Sequence, residues 1–462
     1  MQPHPDFERI APPKSTGVKI VIVGAGYGGV ACAIECSRKG HDVVVVEKLS
    51  ELRMHAQILS LGPNAGRILA RWGLHDKLWP ICGHYPGFNL HNYKGELLRF
   101  QRSQQPLFGA YSYNGHRAEI HQVLFDHAVS LGVEIRMNQE VIEYWEDDEQ
   151  DKSGVILRGG ERLEADLVIA GDGVRSQARH YILGYNDKPK TSGYALYRAW
   201  FDAAENGVDK DPLTKFLCTD GDVFYGWIGQ DVHMLTSSSR NGKTISWVIT
   251  HKDDTELQDS WAFPGKMEDV LKVVEGWDPR CAAVLSKAPS CIDWKLIVHD
   301  PLPTWISKSG RVILIGDAAH PFLPCVFSCR ILIFSVSLRL WLSYCDLPTD
   351  FSRSSSAQGA SQAIEDGVTV AVALQLAGKG DVPLAVKAWE KIRYQRVRDS
   401  QLMGEATRDK WHQAKPEDKG AHLEMPRPEW LFAHDAEAHA YTVYDEVARE
   451  IVEKGYQLPT LS

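Results

Sequence analysis

The sequence predicts an α/β protein: a doubly wound parallel-sheet domain assembled from two separate stretches of chain, a β-rich domain inserted between them, and a helical extension after them. Three observations predict it. Residues 18–23, Val-Lys-Ile-Val-Ile-Val, lead into the turn Gly24-Ala25-Gly26-Tyr27-Gly28-Gly29 and then into small residues over 30–39, the strand, turn and helix order of a dinucleotide-binding unit. Far downstream, the apolar run 312–315 is closed by a second, acidic turn, Gly316-Asp317-Ala318-Ala319-His320-Pro321. Between about 187 and 300 the helical rhythm gives way to short alternating or aromatic runs, 194–200, 223–228 and 244–250, which predict antiparallel strands. The chain therefore divides into a loose polar tail (1–17), a first segment of the nucleotide-binding domain (18–186), a β-rich substrate domain (187–300), a second segment (301–377) and a C-terminal helical region (378–462).

Each turn has a physical reason. Gly24 permits the tight turn, Gly26 lets the backbone approach a pyrophosphate, and Gly29 lets the helix lie close to the strand, while the helix N-terminus offers the positive end of its dipole. The second strand, 43–46, ends in Glu47, about 20 residues past the glycines, where an acid can accept from ribose hydroxyls and would repel a 2′-phosphate. Asp317 closes its own strand, and a carboxylate there can hold a sugar-like hydroxyl chain. A third turn, Ala170-Gly171-Asp172-Gly173, closes the buried run 165–170 with Arg175 and Arg179 nearby.

Composition narrows the function. A chain of 462 residues with 44% hydrophobic content supports two or three domains with a substantial core. The net charge of −9 and scattered Lys and Arg leave no basic face for nucleic acid, so a small organic substrate is expected. Nine cysteines without paired spacing suggest reduced thiols and a cytoplasmic setting. No apolar run reaches the ~20 residues that span a bilayer. No metal site is predicted: Cys32 and Cys36 share a helix face that reads as packing, and His434 and His439, five apart, diverge around a helix axis.

Together the three turns resemble the fingerprints of FAD-dependent aromatic hydroxylases, the class A flavoprotein monooxygenases that include salicylate and p-hydroxybenzoate hydroxylase, over about residues 18–398. The resemblance implies FAD as cofactor, NADPH or NADH as a transient electron donor, O2 and an aromatic small molecule as substrates, and a monomer or homodimer. It implies that Asp172 lies in a motif serving flavin and nicotinamide together, and that Arg117, in Asn114-Gly115-His116-Arg117, faces the flavin ribityl or pyrophosphate. The stretch 61–65 matches a family stretch near the flavin, with Ala56 just before it where many relatives carry glycine. In Gln358-Gly359-Ala360, the backbone at Ala360 is implied to face the flavin pyrimidine. In the substrate half, Arg198 is implied to neutralise a phenolate or carboxylate of the substrate, and Tyr225 to share a hydrogen bond with the same oxygen. The run 389–398 reads as a charged helix whose role is packing.

One segment departs from the family pattern. Where relatives have a few residues between the acidic turn and the Gly-Gln-Gly-like stretch, 32 residues, 325–356, intervene, with an apolar run and three of the nine cysteines. A translated intron, a lineage-specific loop and a membrane-touching hairpin all account for it, the first best, because the segment interrupts a turn that should touch the cofactor. The expected activity is hydroxylation of a phenolic or related aromatic compound. A flavin-dependent epoxidase or oxidase acting on an alicyclic substrate, and a catalytically impaired flavin-fold protein, remain as alternatives.

Overall fold

The computed structural model describes residues 14–52, 58–253, 262–322, 358–412 and 423–460. Its centre is a five-stranded parallel sheet. Lys19–Val23 lies in the middle, flanked on one side by Asp42–Val46 and then Glu134–Arg136, and on the other by Leu167–Ala170 and then Val312–Leu314. The last strand comes from the second segment, so two stretches far apart in sequence close one sheet. Continuous β-branched and aliphatic runs fit a parallel sheet covered on both faces. Lys19 is the only exposed residue of the central strand, and all four residues of Leu167–Ala170 are buried.

Helices supply the cover. Tyr27–Arg38 and Gly359–Ala377 pack against one another over the sheet, and their core continues into the C-terminal helices Val382–His412 and Ala436–Lys454 through Trp389, Tyr394, Tyr444 and Ile451.

The second layer is an eight-stranded sheet in the order Ala262–Gly265, Cys291–Val298, Lys190–Asp202, Thr244–Lys252, Val232–Ser239, Phe224–Gly229, Gly87–Asn92 and Leu97–Arg102. Its last two strands precede residue 187, so the substrate-side sheet is wider than the 187–300 stretch. One face carries Tyr197, Ala199, Trp227, Trp247 and Ile249 and is covered by the helices Met267–Val273 and Pro279–Ser286. The other face looks toward the nucleotide-binding domain, where the Trp200 ring meets the His116 ring at 5.0 Å.

The whole 325–356 segment, with the readings attached to it, lies outside the described residues, while Phe322 and Gln358 on either side lie within them. A Cβ built on Gly359 would stand 3.2 Å from the Cβ of Phe322, so the chain is described up to and again from two adjacent points.

Candidate active site

The Gly-rich turn is built for close backbone contact. Gly24 adopts φ +97°, and a Cβ there would lie 2.5 Å from the Gly171 carbonyl oxygen; a Cβ on Gly29 would lie 1.9 Å from the Gly24 oxygen. These two glycines pack strand, turn and helix together. Gly26 differs, since a Cβ there would meet no atom within 4 Å, and the turn is open where a pyrophosphate would approach the N-terminus of Tyr27–Arg38. Glu47 is fixed beside it: one carboxylate oxygen accepts from the Ala25 N–H at 2.8 Å, the other from the Leu49 N–H at 2.9 Å.

The helix Arg117–Ser130 is clamped to this turn by groups to which the sequence assigned no role. The Tyr27 hydroxyl donates to the Arg117 carbonyl at 2.5 Å, and His121 Nε2 donates to the Ala25 carbonyl at 2.7 Å. Burial lowers His121 to about 4, which keeps the ring neutral while it donates. Arg117, the first residue of the helix, thus projects from a fixed point. Its charge lowers both the Asp317 carboxyl and the Arg198 guanidinium.

Asp317 is accessible to solvent although its neighbours Gly316 and Ala318 are buried. The protein crowded around it raises its carboxyl above the ordinary range, opposed by the charges of Arg117, His320 and Arg179. Asp172 is held from below, accepting from the Gln177 N–H at 3.0 Å and the Tyr144 hydroxyl at 3.3 Å. Its Oδ1 is buried without a hydrogen-bond partner among the described residues, and burial raises its carboxyl too. The buried Arg179 joins these turns, donating to the carbonyls of Asp317 and Ala318 at 2.6 Å each.

The second segment rests on a buried ionic network. Asp366 accepts from the Gly316 N–H at 3.0 Å, from His320 Nε2 at 2.6 Å and from Arg393 Nε at 2.9 Å. Glu365 accepts from Arg393 at 2.5 Å, from Arg396 at 2.8 and 2.9 Å, and from the Asn64 amide at 2.6 Å. Burial alone would raise both carboxyls. Arg396 and Arg393 hold Glu365, and His320 and Arg393 hold Asp366, below the usual carboxylate range. Asn64 also donates to the Gln358 side chain at 2.9 Å, and the Gly62 N–H to Ser361 Oγ at 3.1 Å. The acidic turn and the first turn of Gly359–Ala377, where Ala360 sits, are thereby tied together, and that helix end presents backbone N–H groups lacking intrahelical partners.

On the sheet, Arg198 lies on the face turned toward these elements. Register fixes it: Arg198 stands opposite Val248 and Ile292, with Leu235 and Gly226 continuing the row. Its guanidinium packs over the Trp294 ring at 4.1 Å, and Nε and Nη2 are buried without partners among the described residues. Burial, with the nearby charge of Arg117, lowers its pKa to about 9. Tyr225 is a correction to the sequence expectation. It stands opposite Thr236, which stands opposite Trp247 and in turn Ala199, one residue out of phase with Arg198. Strand alternation therefore points Tyr225 to the other face, where it packs on Phe216 at 4.9 Å and His91 at 5.7 Å. It cannot share an oxygen with Arg198. Ala56 lies outside the described residues.

The donor set fits FAD: an open glycine turn and a fixed acid for the adenosine side, Asp317 and Arg117 midway, and a helix N-terminus beyond them. The family described as "FAD binding domain" matches residues 17–326, a match ending just inside the 325–356 segment. Asperlicin C monooxygenase from Petromyces alliaceus is 34% identical over 456 residues, 96% of this chain and 91% of that protein. The crystal structure of CtdE in complex with FAD and substrate 4 superposes with a TM-score of 0.82 at 32% identity, over 94% of this chain and all of that one. The salicylate hydroxylase substrate complex shares the fold, with a TM-score of 0.71 at 21% identity over 97% of this chain and 100% of the other. With two thirds of its length inside the family match and these turns in place, the chain belongs to the FAD-binding family of class A flavoprotein monooxygenases, enzymes of the secondary-metabolism type whose cofactor is FAD.

Proposed function

We propose that this enzyme uses NAD(P)H and O2 to hydroxylate an electron-rich aromatic small molecule, with Arg198 holding an ionised or strongly accepting oxygen of the substrate. The observation that carries this is the Arg198 guanidinium, buried with two nitrogens unpartnered among the described residues, on the sheet face that meets the FAD domain. A desolvated cation without a counter-ion gains most from an anionic ligand. Its surroundings favour a flat ring, since Trp294 lies under it and Trp200 and Phe224 share its face.

Bound FAD supplies the activation of O2. The chain's own part is to bind and orient. Arg198 favours the ionised, more nucleophilic form of a phenolic substrate, the sheet roof excludes water, and Gly26, Glu47, Arg117, Asp172, Asp317 and the N-terminus at Ala360 hold the cofactor.

Arg198→Ala is expected to raise the substrate concentration required by about tenfold or more and to lower product formed per NAD(P)H consumed, the balance appearing as hydrogen peroxide. A phenolic and indolic panel screened for stimulated NAD(P)H oxidation, with 18O2 labelling of any product, tests the reaction. Unlabelled product, or a parental product yield in Arg198→Ala, would overturn it.

A further inference from the structure

We propose that His116 is a second substrate-recognising residue, accepting a hydrogen bond from an O–H or N–H borne by the aromatic ring that Arg198 holds. This rests on the aromatic reading above. His116 ends the strand Tyr113–His116, directly before Arg117. It is 7% exposed, yet its Nδ1 has no hydrogen-bond partner among the described residues. Its ring meets Trp200 edge-on, 5.0 Å between centroids at 73°, and Trp200 lies two residues along the strand from Arg198, hence on the same face.

A buried ring nitrogen left unpaired is costly, and a ligand donor would offset that cost. The charged groups acting on this ring are Glu119 and Arg240, which pair with one another; Arg117 follows His116 in the chain, and its charge is felt by Arg198. Burial holds the His116 imidazole below its ordinary pKa, with Glu119 opposing and Arg240 assisting, so the ring is neutral near pH 7. In the tautomer protonated at Nε2, Nδ1 is an acceptor, whereas Arg198 can only donate. The two residues are therefore complementary: the neutral phenol accepts from the guanidinium and donates its O–H to the imidazole, which can take that proton as the oxygen ionises beside Arg198, whereas a methyl ether can only accept.

The test titrates matched ligands, naphthol and its methyl ether, indole and N-methylindole, into the FAD-loaded protein and follows the flavin absorption band. The wild type is expected to prefer the donor-bearing member of a pair by about tenfold. His116→Phe, which keeps a ring against Trp200, should erase the preference, and His116→Asn, which restores an acceptor near Nδ1, should recover part of it. Without any variant, the wild-type preference should persist through the ordinary imidazole value of about 6.5 and fade only at lower pH, because burial delays the protonation that removes the acceptor. Flavin-to-protein ratios separate recognition from misfolding. If Arg198→Ala uncouples the reaction while the pairs bind alike at every pH, this inference falls and the aromatic reading stands. If no ring compound perturbs the flavin in the wild type, the aromatic reading falls and carries this inference with it.

Discussion

Glu47 and Asp317 are both acids at strand ends, but they are set differently, and their loss should read out differently. Glu47 already bridges Ala25 and Leu49 through backbone N–H groups, so Glu47→Ala removes a ribose acceptor and also leaves the turn's own donors unpaired. The Asp317 side chain opens to solvent, so Asp317→Ala should weaken FAD retention with less effect on the apoprotein. Each loss is worth about 1–3 kcal/mol. The flavin-to-protein ratio after gel filtration checks both, and a melting curve of the stripped protein checks the difference; full occupancy in both variants would refute the assignment of these acids. Glu390 makes a separate prediction. It is fully buried, accepts from Thr304 Oγ1 at 2.8 Å and from the Trp305 N–H and Tyr456 hydroxyl, and burial raises its carboxyl to about 7. Between about 4.3, the unfolded value, and 7 the folded state binds the extra proton, so stability contributed by this group falls as pH rises through that window. Glu390→Gln should flatten the decline, gaining on the order of 2 kcal/mol relative to wild type at pH 8, seen as a converging and then crossing pair of melting temperatures.

Among the elements, Val382–His412 carries more of the site than its charged sequence suggests. Arg393 is 1% exposed and reaches Glu365, Asp366 and the Gln362 carbonyl and side chain. Arg393→Met removes the cation shared by two buried carboxylates, leaving Glu365 to Arg396 and Asn64 and Asp366 to His320 and the Gly316 N–H, and should cost about 3–5 kcal/mol and most of the flavin occupancy. Arg393→Met combined with Glu365→Gln and Asp366→Asn should recover stability but not occupancy, since the Gly316 turn loses its charged anchor; thermal melts and flavin ratios report the two separately. This network was not legible in the sequence. Asn64, Glu365 and Arg393 are brought together only by tertiary packing, and the 389–398 run shows charge without showing that the charge is buried. The placement of the glycine turns, Glu47, Asp172 and Asp317 just after apolar strands was legible, because it is set by local spacing. Tyr225 was misplaced for a related reason. Alternation within its own strand is readable, but its phase relative to Arg198 depends on register carried across two intervening strands.

At the scale of the molecule, two segments of chain make one flavoprotein, and described residues on both sides of 323–357 hold the join between them. Gly316 and His320 are fastened to Asp366, the Pro321 carbonyl accepts from Gln401 at 3.2 Å, and Gln358 is bound by Asn64. Removing residues 325–356 and joining Pro324 to Ala357 should therefore preserve the fold and give equal or higher flavin loading and less aggregation than the full chain, measured by the flavin ratio and light scattering. Poorer loading in the shortened chain would show that the segment has a role of its own. The adjacency of Phe322 and Gly359 also has a meaning for the gene. Phe322 and Gly359 meet in space, and a transcript that omits the 32 codons for 325–356 stays in frame between them. A message lacking these codons would encode a protein with the same two anchored ends, and sequencing the transcript across them shows which message the locus makes.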